Sequence, residues 1–131
     1  MISARRARPP VELADAAYQA VRALNHATLP AQSELADHLD LYRVLGSLAA
    51  LLHATPQALR QASDWLAREQ QAGRVDVDAA CPASPATTVG AIVTALAAAA
   101  DTLTGSARRV DHAHEATAHL ITEPTTHQIG M

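Results

Sequence analysis

PATTVGAIVTALAAAADTLTGSARRVDHAHEATAHLI, residues 85–121, is the longest regular stretch of this chain. Val89, Val93, Leu96, Ala100, Leu103, Ala107 and Val110 recur there in steps of four and three, which places them on one face of a helix. Such a helix is about 55 Å long at about 1.5 Å per residue, more than a compact domain of this length needs. The stretch therefore predicts an all-α protein with a long C-terminal helix and surface to spare. Gly105 interrupts it between Thr104 and Ser106, at a cost of about 1 kcal/mol relative to alanine, and marks a kink or a close helix contact.

Upstream, residues 11–28 read as a first helix. Leu13, Ala17, Ala20, Leu24 and Ala27 share one face, and Glu12 and Asp15 sit in the first turn, where carboxylates complement the helix dipole. Pro30 closes it. Ser33 is the expected cap of a second helix over 33–54, whose stripe of Leu41, Leu45, Leu48 and Leu52 makes it the centre of the core. Thr55-Pro56 reads as a cap followed by proline at the first helical position. It predicts a tight turn and a third helix through Leu59, Ala62, Leu66 and Glu69 to a stop at Gly73. Alternating Val75 and Val77 predict a short extended piece before a proline-containing loop. Ser84-Pro85 repeats the cap-and-proline signal for the long helix, and Pro124 ends it. The expected architecture is a four-helix bundle, a single helical domain over 11–123 in which the first three helices pack on the long fourth. A disordered basic arm over 1–10 and a disordered tail over 124–131 flank it.

Of 131 residues, 49% are hydrophobic, but 31 are alanine, leucine, valine and isoleucine together number 27, and phenylalanine is absent. An alanine-lined seam yields less burial energy than a leucine-lined one and compensates by letting helix backbones approach closely. All ten basic residues are arginine, a bias that with the alanine content suggests a high-GC, actinobacterial genome. The net charge of −3 argues against a protein that coats nucleic acid, although Arg5, Arg6 and Arg8 form a local basic arm. The single cysteine, Cys81, rules out an internal disulfide and suits a reducing cytoplasm. The amino terminus lacks the continuous apolar run of a secretory signal, and the run over 89–100 is shorter than the roughly 20 residues that span a bilayer. A soluble, cytoplasmic protein without membrane contact is expected.

The best candidate for chemistry is His112, Glu115 and His119, whose offsets of three and seven put three metal-ligand types on one helix face. The spacing differs from the adjacent-turn histidine pair of His-Glu-x-x-His, and Asp111 and His114 make the region generally polar, so a solvated face is the favoured reading. No Glu-x-x-His occurs for a di-iron bundle, no serine or cysteine has a nucleophile's context, and the glycines form no phosphate-cradling loop. Neither an enzyme nor a cofactor is expected. His114 continues the apolar stripe and is a candidate seam residue, although a partly exposed histidine past the end of the core is the favoured reading.

The hydrophobic helix to Ala54, the Thr55-Pro56 turn, the segment from Gln57 to Glu69, and Gly73-Arg-Val-Asp-Val resemble, over 41–78, the helix-turn-helix and first wing strand of winged-helix proteins. The resemblance implies a recognition helix presenting Gln57, Arg60, Gln61 and Arg68 to DNA, with Arg5, Arg6 and Arg8 on phosphates. Cys81-Pro82-Ala83-Ser84-Pro85 cannot supply the returning wing strand, and Asp64, Glu69, Asp76 and Asp78 dilute the positive field. An ordinary helical hairpin is favoured. Tyr42-Arg-Val-Leu-Gly-Ser-Leu and the segment from Leu59 to Leu66 also resemble small all-helical actinobacterial proteins of uncharacterised function, which implies the fold and no activity. Trp65, beside Leu66, reads as a flank of the core. The leading expectation is a non-enzymatic interaction or assembly module, its partner a protein or a second copy in a homodimer. Ala107, Val110, Ala113 and His114, where the stripe thins, are its candidate contacts; a DNA-associated regulator is the alternative.

Overall fold

A computed structural model of the chain describes residues 8–121. It has three helices: α1 (Pro10–Ala27), α2 (His38–Gln71) and α3 (Pro85–Thr117). The all-α expectation holds, and no strand occurs among the described residues; the four-helix count does not hold. Arg5, Arg6 and the tail over 124–131 lie outside the described residues.

The residues fall into two compact units, one ending at Asp37 and one beginning at His38. In the first, α1 starts on Pro9-Pro10 and carries Glu12 in its first turn, with no buried residue. The Thr28 hydroxyl donates to Leu24 O at 2.9 Å, and Glu34 N–H returns to Ala27 O at 2.8 Å, so the last carbonyls of the helix find donors before the chain leaves it. Ser33 does not cap α2. Its hydroxyl accepts from Leu35 N–H at 3.2 Å, and the helix begins five residues later.

The second unit is a hairpin of α2 and α3. The predicted turn at Thr55-Pro56 is absent, and the two helices expected there are one 34-residue helix with Pro56 inside it. The reason lies in the phase of the leucines. Leu45, Leu52, Leu59 and Leu66 recur every seventh residue straight through the proline, and Ala49, Pro56 and Ser63 repeat with the same period beside them. Those three small side chains are the buried positions of α2. A continuous helix keeps both rows against α3; a turn at Pro56 would rotate one half of them into water. The Thr55 hydroxyl bonds Leu51 O at 2.7 Å one turn back.

α3 presents the complementary row Val93, Leu96, Ala100, Leu103, Ala107, Val110 and His114, in alternating steps of three and four, all buried or half-buried. Ala100 and Ala107 are 0% exposed. Tyr42 meets His114, His53 meets Asp111 and Arg60 meets Asp101, so the residue numbers rise along one helix as they fall along the other and the pair is antiparallel. Among the described residues the buried hydrophobic side chains are Ala49, Val89, Ala100 and Ala107, and no large side chain is fully buried. Small residues at these places let the backbones come close, so the stability of the hairpin rests on contact along its length.

The hairpin is closed by local signals. Gly73, at φ 72°, ends α2 with its N–H on Gln70 O (3.0 Å), while Arg74 N–H reaches Glu69 O (2.9 Å). This is the paired bonding of a Schellman stop, which needs a left-handed residue and therefore favours glycine. The Arg74 guanidinium also grips Glu69 by both oxygens, at 2.7 and 3.1 Å. That fork holds the Glu69 carboxyl below its usual range and raises Arg74. In the connection, Val75 and Val77 are half-buried and Asp76 and Asp78 exposed, the alternation expected of an extended piece, without a strand partner. Ser84 accepts from Thr87 N–H at 3.2 Å and Pro85 opens α3, as read from the sequence. α3 ends at Thr117, seven residues before Pro124, where the chain tightens: Ala118, His119 and Leu120 N–H bond carbonyls three residues back.

Replacing Pro56 by alanine restores a backbone donor for Leu52 O and removes a helix-interior penalty of about 3 kcal/mol, while losing two packed methylenes at about 0.8 kcal/mol each. The helix term is larger. Pro56→Ala is expected to stabilise the protein by about 1 kcal/mol, read as a Tm rise of about 4–8 °C. A lower Tm in calorimetry would mean that the ring's packing dominates.

Candidate functional site

The seam sorts the hairpin's surface into two regions. At its open end, the His114 ring stacks on Tyr42 with centroids 4.2 Å apart and an interplanar angle of 27°. Beneath it is Gly46, where an added Cβ would sit 2.9 Å from His114 Nε2. His114 is half-buried and stacked in the seam, the less favoured of its two sequence readings, and Gly46 makes the room. One turn inward, His53 Nε2 and Asp111 Oδ2 lie 2.6 Å apart, both partly exposed. Sequence reasoning missed this pair, as it missed Gly46: the partners are 58 positions apart, and only the antiparallel register of α2 and α3 brings them together.

The metal candidates do not converge. His112, Glu115 and His119 are each exposed, and among the described residues no group of three His, Cys, Asp or Glu side chains is placed to share an ion. His119 lies beyond the end of α3, so the helical offset of seven that aligned it with His112 does not apply.

The DNA-reading geometry is also missing. Gln57, Arg60, Gln61 and Arg68 are exposed, but they run along the second half of α2 rather than on a separate recognition helix. Arg60 is engaged with Asp101 at 3.2 Å. Arg8 is exposed at the start of the described residues.

The interaction candidates are rearranged. Ala107 is sealed inside the hairpin, Val110 and His114 are half-buried along the seam, and Ala113 alone of the four is exposed. The stripe in the first half of α3 is covered, with Val89 and Ala100 buried and Val93, Leu96 and Leu103 half-buried, while the rest of its circumference is open. From residue 85 to residue 100 it carries no charge, and Gly90, Ala91, Ile92, Ala95 and Ala98 are exposed. By length and composition alone α3 is apolar enough to cross a membrane, a test that core helices of soluble proteins also pass. Trp65, expected against the core, is 57% exposed, because it sits about 100° around α2 from Leu66 in the seam.

Cys81 is half-buried in the connection, its Sγ 3.4 Å from the Thr88 hydroxyl on the first turns of α3. That hydrogen bond first, and the Ala83 backbone second, hold the thiol below its ordinary range. Comparison with protein-family models, with curated proteins and with solved structures finds no match for this chain.

Two outcomes follow from these contacts. Gly46→Ala gains about 1 kcal/mol of helix propensity and gives up a ring contact of similar size, so Tm is expected to stay nearly constant. His114 should nevertheless lose the ring-current shift that Tyr42 imposes, seen by NMR; an unchanged shift would contradict the close approach. For Cys81, a depressed pKa means that the thiolate forms at lower pH, so the midpoint of its alkylation by iodoacetamide should fall below that of a free thiol. Thr88→Val should move that midpoint upward, and no movement would rule out the hydroxyl as its cause.

Proposed function

We propose that the protein is a non-enzymatic helical interaction module, and that its partner docks on the exposed outer side of α3 in its first half. The observation that carries this reading is the uncharged run over 85–100, where Val89, Val93, Leu96 and Ala100 are buried or half-buried and Gly90, Ala91, Ile92, Ala95 and Ala98 stay exposed. Exposed apolar side chains scattered singly are ordinary; a continuous apolar helix face is the usual mark of a surface that another chain covers. The charges of α2 support the same assignment. Arg60, Asp64 and Arg68 keep the neighbouring helix solvated, so one side of the hairpin is left to be covered and the other is not. The contact residues move accordingly, from Ala107, Val110 and His114 to the outer alanines of the first half.

A photo-crosslinking amino acid placed at Ala95, in the producing cell, should trap an adduct of discrete mass. The same probe at Gln57, on the solvated side of α2, should not. Absence of any adduct at Ala95 would sink the interaction reading.

A further inference from the structure

We infer that the uncharged run over 85–100 is covered by α1 of a second copy of the chain, each copy giving its α1 to the other. The inference rests on the interaction reading above and gives it an occupant. α1 is an apolar surface in its own right. Leu13, Ala17, Ala20, Leu24 and Ala27 line one side of it, Leu13 is 49% exposed, and no residue of the helix is buried. A helix in water gains most of its stability from packing its amphipathic side against something, and that side of α1 is unused.

The two surfaces fit in length, size and charge. α1 has 18 residues and is about 27 Å long; the run over 85–100 is about 24 Å long. Leu13 and Leu24 stand beside alanines on α1, and the run offers Ala91, Ala95 and Ala98 opposite the seam. Leucines set among small residues are also how α2 and α3 close on each other. Glu12, Asp15 and Arg22 lie about 100° or more around α1 from Leu13, so all three charges stay in water when the apolar side docks.

The reach of the chain assigns the helix to another copy. After α1 a turn brings Glu34 N–H onto Ala27 O at 2.8 Å. The end of α1 is thereby held within about 20 Å of His38, the distance across that bond plus the four extended steps from residue 34 to residue 38. The uncharged run begins farther away. Asp101, directly after it, pairs with Arg60, which stands 22 residues, about 33 Å, along α2 from His38. A chain's own α1 falls short of its own run while the turn holds. A second copy has no such limit, and reciprocal exchange closes the contact at two copies instead of propagating it.

The area suffices as well. Each docked α1 covers a strip about 24 Å long and about 11 Å wide, on both partners and at both exchanged sites. Together that is about 1,050 Å², above the roughly 1,000 Å² that a specific interface needs, and it covers the whole run from its first turn.

Purified full-length chains carrying the photo-crosslinker at Ala95, half of them labelled with nitrogen-15, test the exchange. Adducts should map to residues 10–27 and join labelled to unlabelled chains. Ala20→Asp, on the apolar side of α1, should raise the dimer Kd about tenfold or more in sedimentation equilibrium while helix content by circular dichroism stays the same. Arg22→Gln, on the opposite side, should leave the Kd unchanged. An unaltered Kd in Ala20→Asp, or adducts of a dimer that map elsewhere, would overturn α1 as the covering helix. A strict monomer, or adducts to 10–27 within single chains only, would overturn the second copy as its donor. In either case an Ala95 adduct to a different protein in the producing cell keeps the interaction reading with another occupant, whereas absence of every adduct removes that reading itself.

Discussion

The hairpin depends on one constraint: two long helices must lie close along most of their length, because along the seam they have little but each other. α2 meets this with a small residue every seventh position, Ala49, Pro56 and Ser63, flanked by leucines of the same period. α3 answers with Ala100 and Ala107 between Val93, Leu96, Leu103 and Val110. Dispersion falls off steeply with separation, so a seam built of alanine gains its energy by proximity rather than by side-chain volume. Even Pro56, which removes a helix hydrogen bond, is tolerated there, because its compact ring occupies one of the small positions and no longer side chain is needed.

The same constraint decides what happens at the two ends. Where Gly46 opens a gap, a ring can enter, and His114 fills the place that an alanine holds elsewhere along α3. At the loop end the closure is local: Gly73 in its left-handed turn, the Glu69–Arg74 fork and the Ser84 cap. A two-helix unit covers only part of the circumference of each helix. Polar residues solve that problem for α2, where Gln57, Arg60, Gln61, Asp64 and Arg68 face water, and no such solution exists on the first half of α3.

Local signals in the sequence were sufficient where the structure itself is local. The start of α3 at Ser84-Pro85, the stop at Gly73 and the extent of α1 are set by caps, prolines and glycine acting on their immediate neighbours. Thr55-Pro56 carries the same signature as Ser84-Pro85 and means the opposite. Ser84 follows Cys-Pro-Ala, which already breaks a helix, whereas Thr55 follows Leu-Leu-His-Ala, which continues one, and the leucine period passes through it without a shift. The phase of the core row was the legible evidence, and the dipeptide outweighed it. Face assignment failed for a related reason. The apolar stripe of α3 is one row and is covered in its first half as expected; that the cover continues over Ala107, Val110 and His114 depends on α2 being long enough to reach them, and a turn at Thr55-Pro56 hides that length. Ala107 was therefore placed outside and is inside, and the His53–Asp111 pair was out of reach.

The glycines show how the same residue answers to different demands. Gly73 is required by its backbone angle. Gly46 makes room for a ring 2.9 Å from where its Cβ would be. Gly90 and Gly105 both have ordinary helical backbones, lie exposed on α3 with nothing within 4 Å of an added Cβ, and each carries the propensity cost of glycine in a helix, about 1 kcal/mol. The alanine-lined seam shows that this protein gains stability by bringing helix backbones together. A glycine on the alanine-rich outer face answers neither of the demands that Gly46 and Gly73 meet, because it lies away from the only place where two backbones of this hairpin come together.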